Sequence, residues 1–292
     1  MNEFFLTGSH VALITPFTKR NNIDVDSLQQ LVQWHVKMKT DSIVCCGSTG
    51  EVSSLSVEEK MEVIKTCKEA SNGKIKIIAN TGCNDTKKSI EMTSKASDID
   101  VDACLVIVPY YNLPTQQGCF KHFQKINEVG VKLIVYHHPG RTGITLHPFT
   151  FDKIASLENV VAIKDSSNNL IHLKHMLYNN DLPLLSGDDS LLIPIMKAGG
   201  CGIISVIANC LPAEIKKIVS LCKEKKEEAA TEEFNKLERL LSALSRETNP
   251  QCIKYALSLM GMACPFMRLP LLEPSKNVKE GIEVAVRELG LI

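Results

Sequence analysis

Val11-Ala12-Leu13-Ile14-Thr15-Pro16-Phe17 is the stretch that decides the fold. Its first five residues form an apolar, strand-length run, and Pro16-Phe17 follows directly. An open, doubly wound sheet would usually carry a glycine-rich phosphate loop after its first strand. Thr15-Pro16-Phe17 stands there instead, which favours a closed barrel over the open sheet.

Seven further runs of the same kind follow: Ser42–Cys46, Ile75–Asn80, Ala103–Val108, Leu133–His137, Val160–Ile163, Leu184–Ser186 and Gly202–Ile207. Most are continuously apolar, as strands of a parallel sheet buried on both faces must be. Helical spacing fills the gaps between them. Leu28, Leu31, Val32 and His35 share one face, and Ser56 with Glu59 forms a capping box ahead of Met61, Val63 and Ile64. Strand and helix alternating eight times predict a (β/α)8 TIM barrel. Beyond about residue 211 the pattern is helical only. Phe234, Leu237, Leu241 and Leu244 form an apolar stripe, and Pro250, Pro265, Pro270 and Pro274 punctuate the remainder. The expected division is a barrel over 1–228 carrying the active site and a C-terminal helical extension over 229–292, with no linker-like composition between them.

Composition narrows the function. The 292 residues are 44% hydrophobic and 23% charged, which suits a globular protein with a large core. Lys+Arg and Asp+Glu each total 33, so nothing in the charge balance suggests nucleic acid or an acidic membrane surface as a partner. No apolar stretch approaches the roughly 18–20 residues of a spanning helix. The start, Met1-Asn2-Glu3-Phe4-Phe5-Leu6-Thr7-Gly8, lacks a basic leader, and a cytoplasmic location is expected. The 11 cysteines include Cys45, Cys104, Cys201 and Cys210 in or beside apolar runs, where a free thiol behaves as a small hydrophobe. They show no metal-ligand spacing, and neither does His137-His138, so reduced thiols and no structural metal are expected.

Chemistry in a barrel collects at the C-terminal ends of the strands. Lys164 stands at the end of Val160-Val161-Ala162-Ile163. A lysine held desolvated there has a depressed pKa and a nucleophilic amine suited to Schiff-base chemistry, although an ordinary lysine leaving a strand for solvent would look the same. Gly47-Ser48-Thr49-Gly50-Glu51 follows the second run and reads either as a tight turn or as a cradle for a carboxylate. Tyr110-Tyr111 and Tyr136 place three of the five tyrosines at strand ends, where they could pack or act. Arg141 could be a surface residue or a planar partner for a substrate carboxylate. Ser186-Gly187-Asp188-Asp189 ends the seventh run, its aspartates fitting a helix cap better than a metal site.

Gly47-Ser48-Thr49-Gly50-Glu51, Tyr110-Tyr111-Asn112, Tyr136 with Pro139-Gly140-Arg141-Thr142-Gly143, and Ile163-Lys164-Asp165 together resemble the dihydrodipicolinate synthase / N-acetylneuraminate lyase superfamily. Those proteins are Schiff-base aldolases on a (β/α)8 barrel with a helical extension, and the resemblance runs the length of the chain. Arg141-Thr142-Gly143 with Tyr110-Tyr111 is similar to the dihydrodipicolinate synthase branch, whereas the other branches differ after the tyrosine–proline loop. His137-His138 between Tyr136 and Pro139 departs from the usual Tyr-Asn-Val/Ile-Pro.

The resemblance implies condensation of pyruvate with L-aspartate 4-semialdehyde in lysine and diaminopimelate biosynthesis, without metal or organic cofactor. It implies that Lys164 forms the imine, that Tyr136 shuttles protons, and that Thr49, with Ser48 beside it, links Tyr136 to a Tyr111 supplied by a neighbouring subunit. Thr49 and the main chain near Ile204 would hold the pyruvate carboxylate, Gly187 would line the substrate site, and Arg141 would take the carboxylate of the semialdehyde. A homo-oligomer follows, a dimer at least and a tetramer as the expected assembly. Another pyruvate-dependent aldolase or lyase, such as an N-acetylneuraminate lyase or a 2-keto-3-deoxy sugar acid aldolase, and a keto-acid-binding sensor barrel are the alternative readings. Lysine-sensitive relatives carry a glutamate four residues after the asparagine matching Asn84, and a histidine on the neighbouring helix. Here those places hold Lys88 and Lys60, beside a matching Tyr110, which implies weak or absent inhibition by L-lysine.

Overall fold

The computed structural model describes residues 6–179 and 181–292. Met1–Phe5, part of the start read above for a leader, lie outside the described residues. The eight strands are β1 (Gly8–Ala12), β2 (Ser42–Cys45), β3 (Lys76–Asn80), β4 (Ala103–Ile107), β5 (Leu133–His137), β6 (Val160–Asp165), β7 (Leu184–Ser186) and β8 (Gly202–Ser205). They pair in parallel and in sequence order, and β1 meets β8 to close the barrel.

Between strands run α1 (Val25–Lys37), α2 (Val57–Ser71), α3 (Thr86–Asp98), α4 (Gln116–Asn127), a short α5 (Pro139–Thr142), α6 (Pro148–Ala155), α7 (Leu170–Asn179) and α8 (Leu192–Lys197). α9 (Pro212–Lys223) follows β8, and then come α10 (Glu227–Asn235), α11 (Glu238–Leu244), α12 (Gln251–Leu259) and α13 (Lys276–Glu288). Ser56 accepts from the Glu59 N–H while Glu59 reaches back to the Ser56 N–H, so the capping box forms as expected at the start of α2. No helix among the described residues is long and apolar enough to cross a membrane.

Strand alternation sorts the core into two layers. Val11, Ile43, Ile77, Val106, Val135 and Ile163 face the helices, and Ala12, Val44, Ile78, Leu105, Ile134, Ala162 and Ile204 fill the barrel. Closure depends on glycine at one place. A Cβ on Gly202 would lie 2.1 Å from the Gly8 carbonyl oxygen, so a side chain there would force β8 away from β1.

The structure corrects three sequence expectations. β1 begins at Gly8, earlier than its apolar run, because Gly8-Ser9-His10 pairs with β8 although only backbone, not hydrophobicity, marks it. It ends at Ala12 because Asn209 takes over its ladder, accepting from the Ile14 N–H at 3.2 Å and donating to the Ala12 carbonyl at 2.7 Å. The C-terminal stripe is not one helix face: the chain turns at Lys236-Leu237, and Leu237 is buried in the join between α10 and α11. Of the two aspartates after β7 only Asp188 caps, accepting from the Ser190 N–H at 2.9 Å. Asp189 instead takes the Ser205 hydroxyl and the Val206 and Ile207 N–H groups, tying β7 to the end of β8.

The C-terminal helices are locked to the barrel by a buried ion pair. Lys254 on α12 places its Nζ 2.6 Å from Glu51 Oε1, both side chains being within 1% of complete burial. The same ammonium donates to the Thr15 carbonyl at 2.9 Å and lies 4.3 Å from the Phe17 ring centroid. Burial draws the Lys254 pKa down to about 8, against the pull of Glu51. Glu51 also accepts from the Arg268 N–H, and the Arg268 guanidinium pairs bidentately with Glu59.

Candidate active site

Lys164 lies inside β6 and not just beyond it, because the strand continues two residues past its apolar run. Its register partner across β5 is Tyr136. Parallel register puts both side chains on the barrel side of the sheet. Lys164 is 7% exposed and Tyr136 5%, with the lysine Nζ 4.1 Å from the tyrosine ring centroid. The amine is therefore buried against the ring of a phenol.

Gly187, the residue just after β7, crowds this lysine. A Cβ on Gly187 would lie 2.8 Å from Lys164 Cε and 2.1 Å from Ser166 Oγ, so only glycine leaves the amine room. Gly187 donates its N–H to the Asp165 carbonyl at 2.7 Å, which holds that contact in place. Ile204 on β8 is buried within the barrel interior.

The loop after β2 is fixed from three directions. Cys46 and Glu51 both take left-handed backbone, φ 54 in each case, bracketing Gly47-Ser48-Thr49-Gly50. Thr15 Oγ1 donates to the Gly50 carbonyl at 2.8 Å, and Glu51 is held by Lys254. Thr49 is buried, and its hydroxyl accepts from Asn249 Nδ2 at 2.9 Å.

A cavity of about 620 Å³ opens above these residues, lined by Ser48, Tyr136, Arg141 and Asn249 among others. Arg141 reaches it from α5, a single turn started by Pro139 and closed by Gly143 at φ 72. Tyr110 also lines the cavity, and burial raises its phenol pKa. Tyr111 does not join them. It is 88% exposed with φ 72 and contributes nothing to the cavity of its own chain.

The two histidines that break the expected loop pattern have separate roles. His137 faces the helices, where its Nε2 accepts from the Leu146 N–H at 3.1 Å. Its proton is therefore on Nδ1, which donates to Asp165 Oδ1 at 2.7 Å. Asp165 is completed by the Ser167 N–H and hydroxyl. His138 lies at the mouth, its ring 5.8 Å from that of Tyr136. Burial, and then the cations Arg141 and Lys164, push its pKa down to about 4, so it is a neutral imidazole at neutral pH.

Asn249 was not legible as a site residue. It stands 200 residues from Thr49, and in sequence Asn249-Pro250 marks only a turn. Ser166 carries no such signal in the sequence either, although its hydroxyl is buried beside Lys164 and Gly187 with no hydrogen-bond partner among the described residues.

A closed parallel barrel with a buried lysine beside a tyrosine at its strand ends defines a lysine-dependent, class I aldolase type of site. Residues 5–289 match the Dihydrodipicolinate synthetase family, and the chain belongs to it. It is 39% identical over 296 residues to the 4-hydroxy-tetrahydrodipicolinate synthase of Chlorobium phaeobacteroides (strain BS1), covering all of both chains. Among solved structures, the chloride-inhibited dihydrodipicolinate synthase from Acinetobacter baumannii complexed with pyruvate superimposes with a TM-score of 0.95 at 39% identity, over 98% of this chain and 100% of that one. The enzyme from Cyanidioschyzon merolae with lysine bound superimposes with a TM-score of 0.97 at 32% identity, over 99% and 100% respectively.

Proposed function

We propose that the protein condenses pyruvate with L-aspartate 4-semialdehyde to 4-hydroxy-tetrahydrodipicolinate, a reaction of lysine and diaminopimelate biosynthesis. The observation that carries this reading is the buried Lys164 amine, 4.1 Å from the ring of its register partner Tyr136 and kept clear by Gly187. The full-length similarity to synthases of that name supports the choice of substrates.

In this reading Lys164 Nζ adds to the keto carbon of pyruvate, and loss of water leaves an imine. Removal of a methyl proton turns the imine into an enamine, whose carbon attacks the aldehyde carbon of the second substrate. The aldehyde oxygen takes up a proton and remains as the hydroxyl. The semialdehyde's own amino group then displaces Lys164 from the imine carbon, closing the ring and freeing the lysine. The imine serves as electron sink, so no metal or organic cofactor enters the scheme.

Tyr136 carries protons in these steps, and Thr49, with Ser48 beside it, connects it to the rest of the relay. The hydrogen bond from Asn249 occupies a Thr49 lone pair and leaves the Thr49 proton free for a catalytic partner. Thr49 and the main chain at Ile204 hold the pyruvate carboxylate, Gly187 lines the space over Lys164, and Arg141 receives the semialdehyde carboxylate. The exposure of Tyr111, held in a left-handed conformation, fits a residue offered to a second copy of the chain. The working unit is then at least a dimer, within a tetramer.

Borohydride reduction in the presence of pyruvate tests the first step. One pyruvyl adduct per chain on the peptide containing Lys164 is expected, and none in Lys164→Ala or Lys164→Arg, whose guanidinium is no usable amine. An adduct on another peptide, or none at all, overturns the mechanism. A coupled assay with L-aspartate 4-semialdehyde then tests the second substrate.

A further inference from the structure

Parallel register sets a second layer of side chains above Tyr136 and Lys164. The β5–β6 ladder pairs Tyr136 with Lys164 and His137 with Asp165, and the Ser166 N–H donates to the His137 carbonyl at 2.8 Å. Alternation then returns His138 and Ser166 to the barrel side, two residues nearer the mouth than the tyrosine and the lysine. His138 stays close to extended, at φ -144 and ψ 79, so its side chain follows that alternation.

Both side chains of this layer carry a buried polar atom with no hydrogen-bond partner among the described residues, Oγ in Ser166 and Nδ1 in His138. Burying a polar group unpaired is costly, and native chains rarely do so without a use for it. Ser166 is fixed at its backbone and not at its hydroxyl. Its N–H is taken by His137, and the Asp165 carbonyl before it accepts from Gly187. Ser166 Oγ and Lys164 Cε flank one point, the place of a Gly187 Cβ, at 2.1 Å and 2.8 Å, so the hydroxyl borders the arm of the lysine. The His138 ring stands edge-on to Tyr136 at 5.8 Å, and Arg141, Lys164 and Asp188 are the charges that act on it. With its pKa pushed down to about 4, that ring is neutral and presents one acceptor nitrogen.

We propose that Ser166 and His138 hold the second substrate above the imine, the Ser166 hydroxyl donating to its aldehyde oxygen and His138 accepting a hydrogen bond from its amino group. This rests on the reaction proposed above. Arg141 takes the carboxylate there, which leaves the aldehyde oxygen and the amino group as the substrate's remaining polar groups. Attack by the enamine carbon forms the carbon–carbon bond and breaks the carbonyl π bond, whose electron pair passes to the oxygen. A donor aimed at that oxygen gains strength as its charge grows. Ser166 keeps its own proton, and the proton that makes the oxygen a hydroxyl comes through Tyr136. The amino group needs an acceptor beside it, and a neutral ring supplies one between the cations Arg141 and Lys164. Ser166 Oγ and His138 Nδ1 have no hydrogen bond to break in turning toward the substrate.

The test measures pyruvate trapping, coupled turnover of L-aspartate 4-semialdehyde and the thermal midpoint in Ser166→Ala and His138→Val. The competing ligand is 4-oxobutanoate, the same aldehyde without the amino group. Ser166→Ala is expected to lower kcat about tenfold or more and to weaken inhibition by 4-oxobutanoate, with trapping intact. Its midpoint should hold or rise, because the substitution removes an unpaired buried hydroxyl. A residue serving only the fold would lose stability and keep its kcat. His138→Val is expected to raise KM for the semialdehyde about 3- to 10-fold and to leave inhibition by 4-oxobutanoate unchanged, with His138→Gln recovering part of the loss. Normal semialdehyde kinetics in either variant, or trapping impaired as much as turnover, overturns the proposal. Weaker inhibition by 4-oxobutanoate in His138→Val overturns the contact with the amino group. A wild-type enzyme that traps pyruvate but does not turn over the semialdehyde overturns the substrate reading and this contact with it, whereas normal kinetics in a variant of a working enzyme overturns the contact alone.

Discussion

His137 donates from Nδ1 to Asp165 Oδ1 across 2.7 Å, on the outer side of the strand pair whose inner side presents Tyr136 and Lys164. Each member of this pair follows a proposed catalytic residue by one position, and both are fully buried. A slip of β5 against β6 would break it and carry Tyr136 away from Lys164. His137→Leu leaves the Asp165 carboxylate buried without one of its donors, so a stability loss of about 2–4 kcal/mol is expected. His137→Asn keeps a donor and should recover part of the loss. Urea midpoints with pyruvate-trapping rates check this, and an unchanged midpoint in His137→Leu would refute the clamp.

Asn249 reaches Thr49 of the proposed relay from outside the barrel. Asn249→Asp preserves shape but presents acceptors where Thr49 now receives a donor. We expect kcat to fall about 10- to 100-fold while the thermal midpoint moves little, the loss of a hydrogen bond to a reacting group being worth roughly 1.5–3 kcal/mol. A fall in stability with normal kcat would make the residue purely structural.

The proposed role of Arg141 allows substrate binding to be tested apart from imine formation. Arg141→Ala should lower kcat/KM for L-aspartate 4-semialdehyde by about 10- to 100-fold, from a charge-assisted contact of roughly 1.5–3 kcal/mol. Pyruvate trapping should survive, because Arg141 is exposed at the rim and Lys164 is buried. Equal damage to both measurements would remove Arg141 from substrate binding.

His138 predicts a pH dependence. Its folded pKa of about 4 lies below the ordinary histidine value of 6.5, so between those values the unfolded chain binds more protons than the folded one. Stability therefore falls as the pH drops from about 6.5 toward about 4, and His138 adds no such slope above that window. His35 and His122, depressed to about 3 and about 4, act in the same direction. His138→Gln should flatten the slope without abolishing it. Denaturant midpoints at two pH values inside the window, compared between the two proteins, decide the matter.

L-Lysine should inhibit weakly or not at all. Lys60 and Lys88 line the cavity near Tyr110, and a cationic ligand there would meet like charges. Initial rates across a lysine titration into the millimolar range check this expectation. Strong inhibition at submillimolar lysine would place the effector elsewhere.

The sequence by itself determined what repeats and what is local. Eight apolar runs separated by amphipathic segments define a barrel, because strands buried on both faces must be apolar throughout their length. The capping box at Ser56 and the position of Lys164 near a strand end were equally readable, since each depends on neighbours a few residues away. Three things were decided only by the tertiary structure. β1 starts at Gly8 because Gly202 allows close approach across the closure, a contact between residues far apart in the chain. Thr49 and Glu51 are held by Asn249 and Lys254, which in sequence look like a loop residue and one more helix lysine. The neighbouring histidines at 137 and 138 part company because strand alternation sends one outward to Asp165 and leaves the other at the mouth. Local periodicity specifies which elements form, but only packing brings distant polar groups within hydrogen-bonding range, and polar groups carry no periodic signal of where their partners lie.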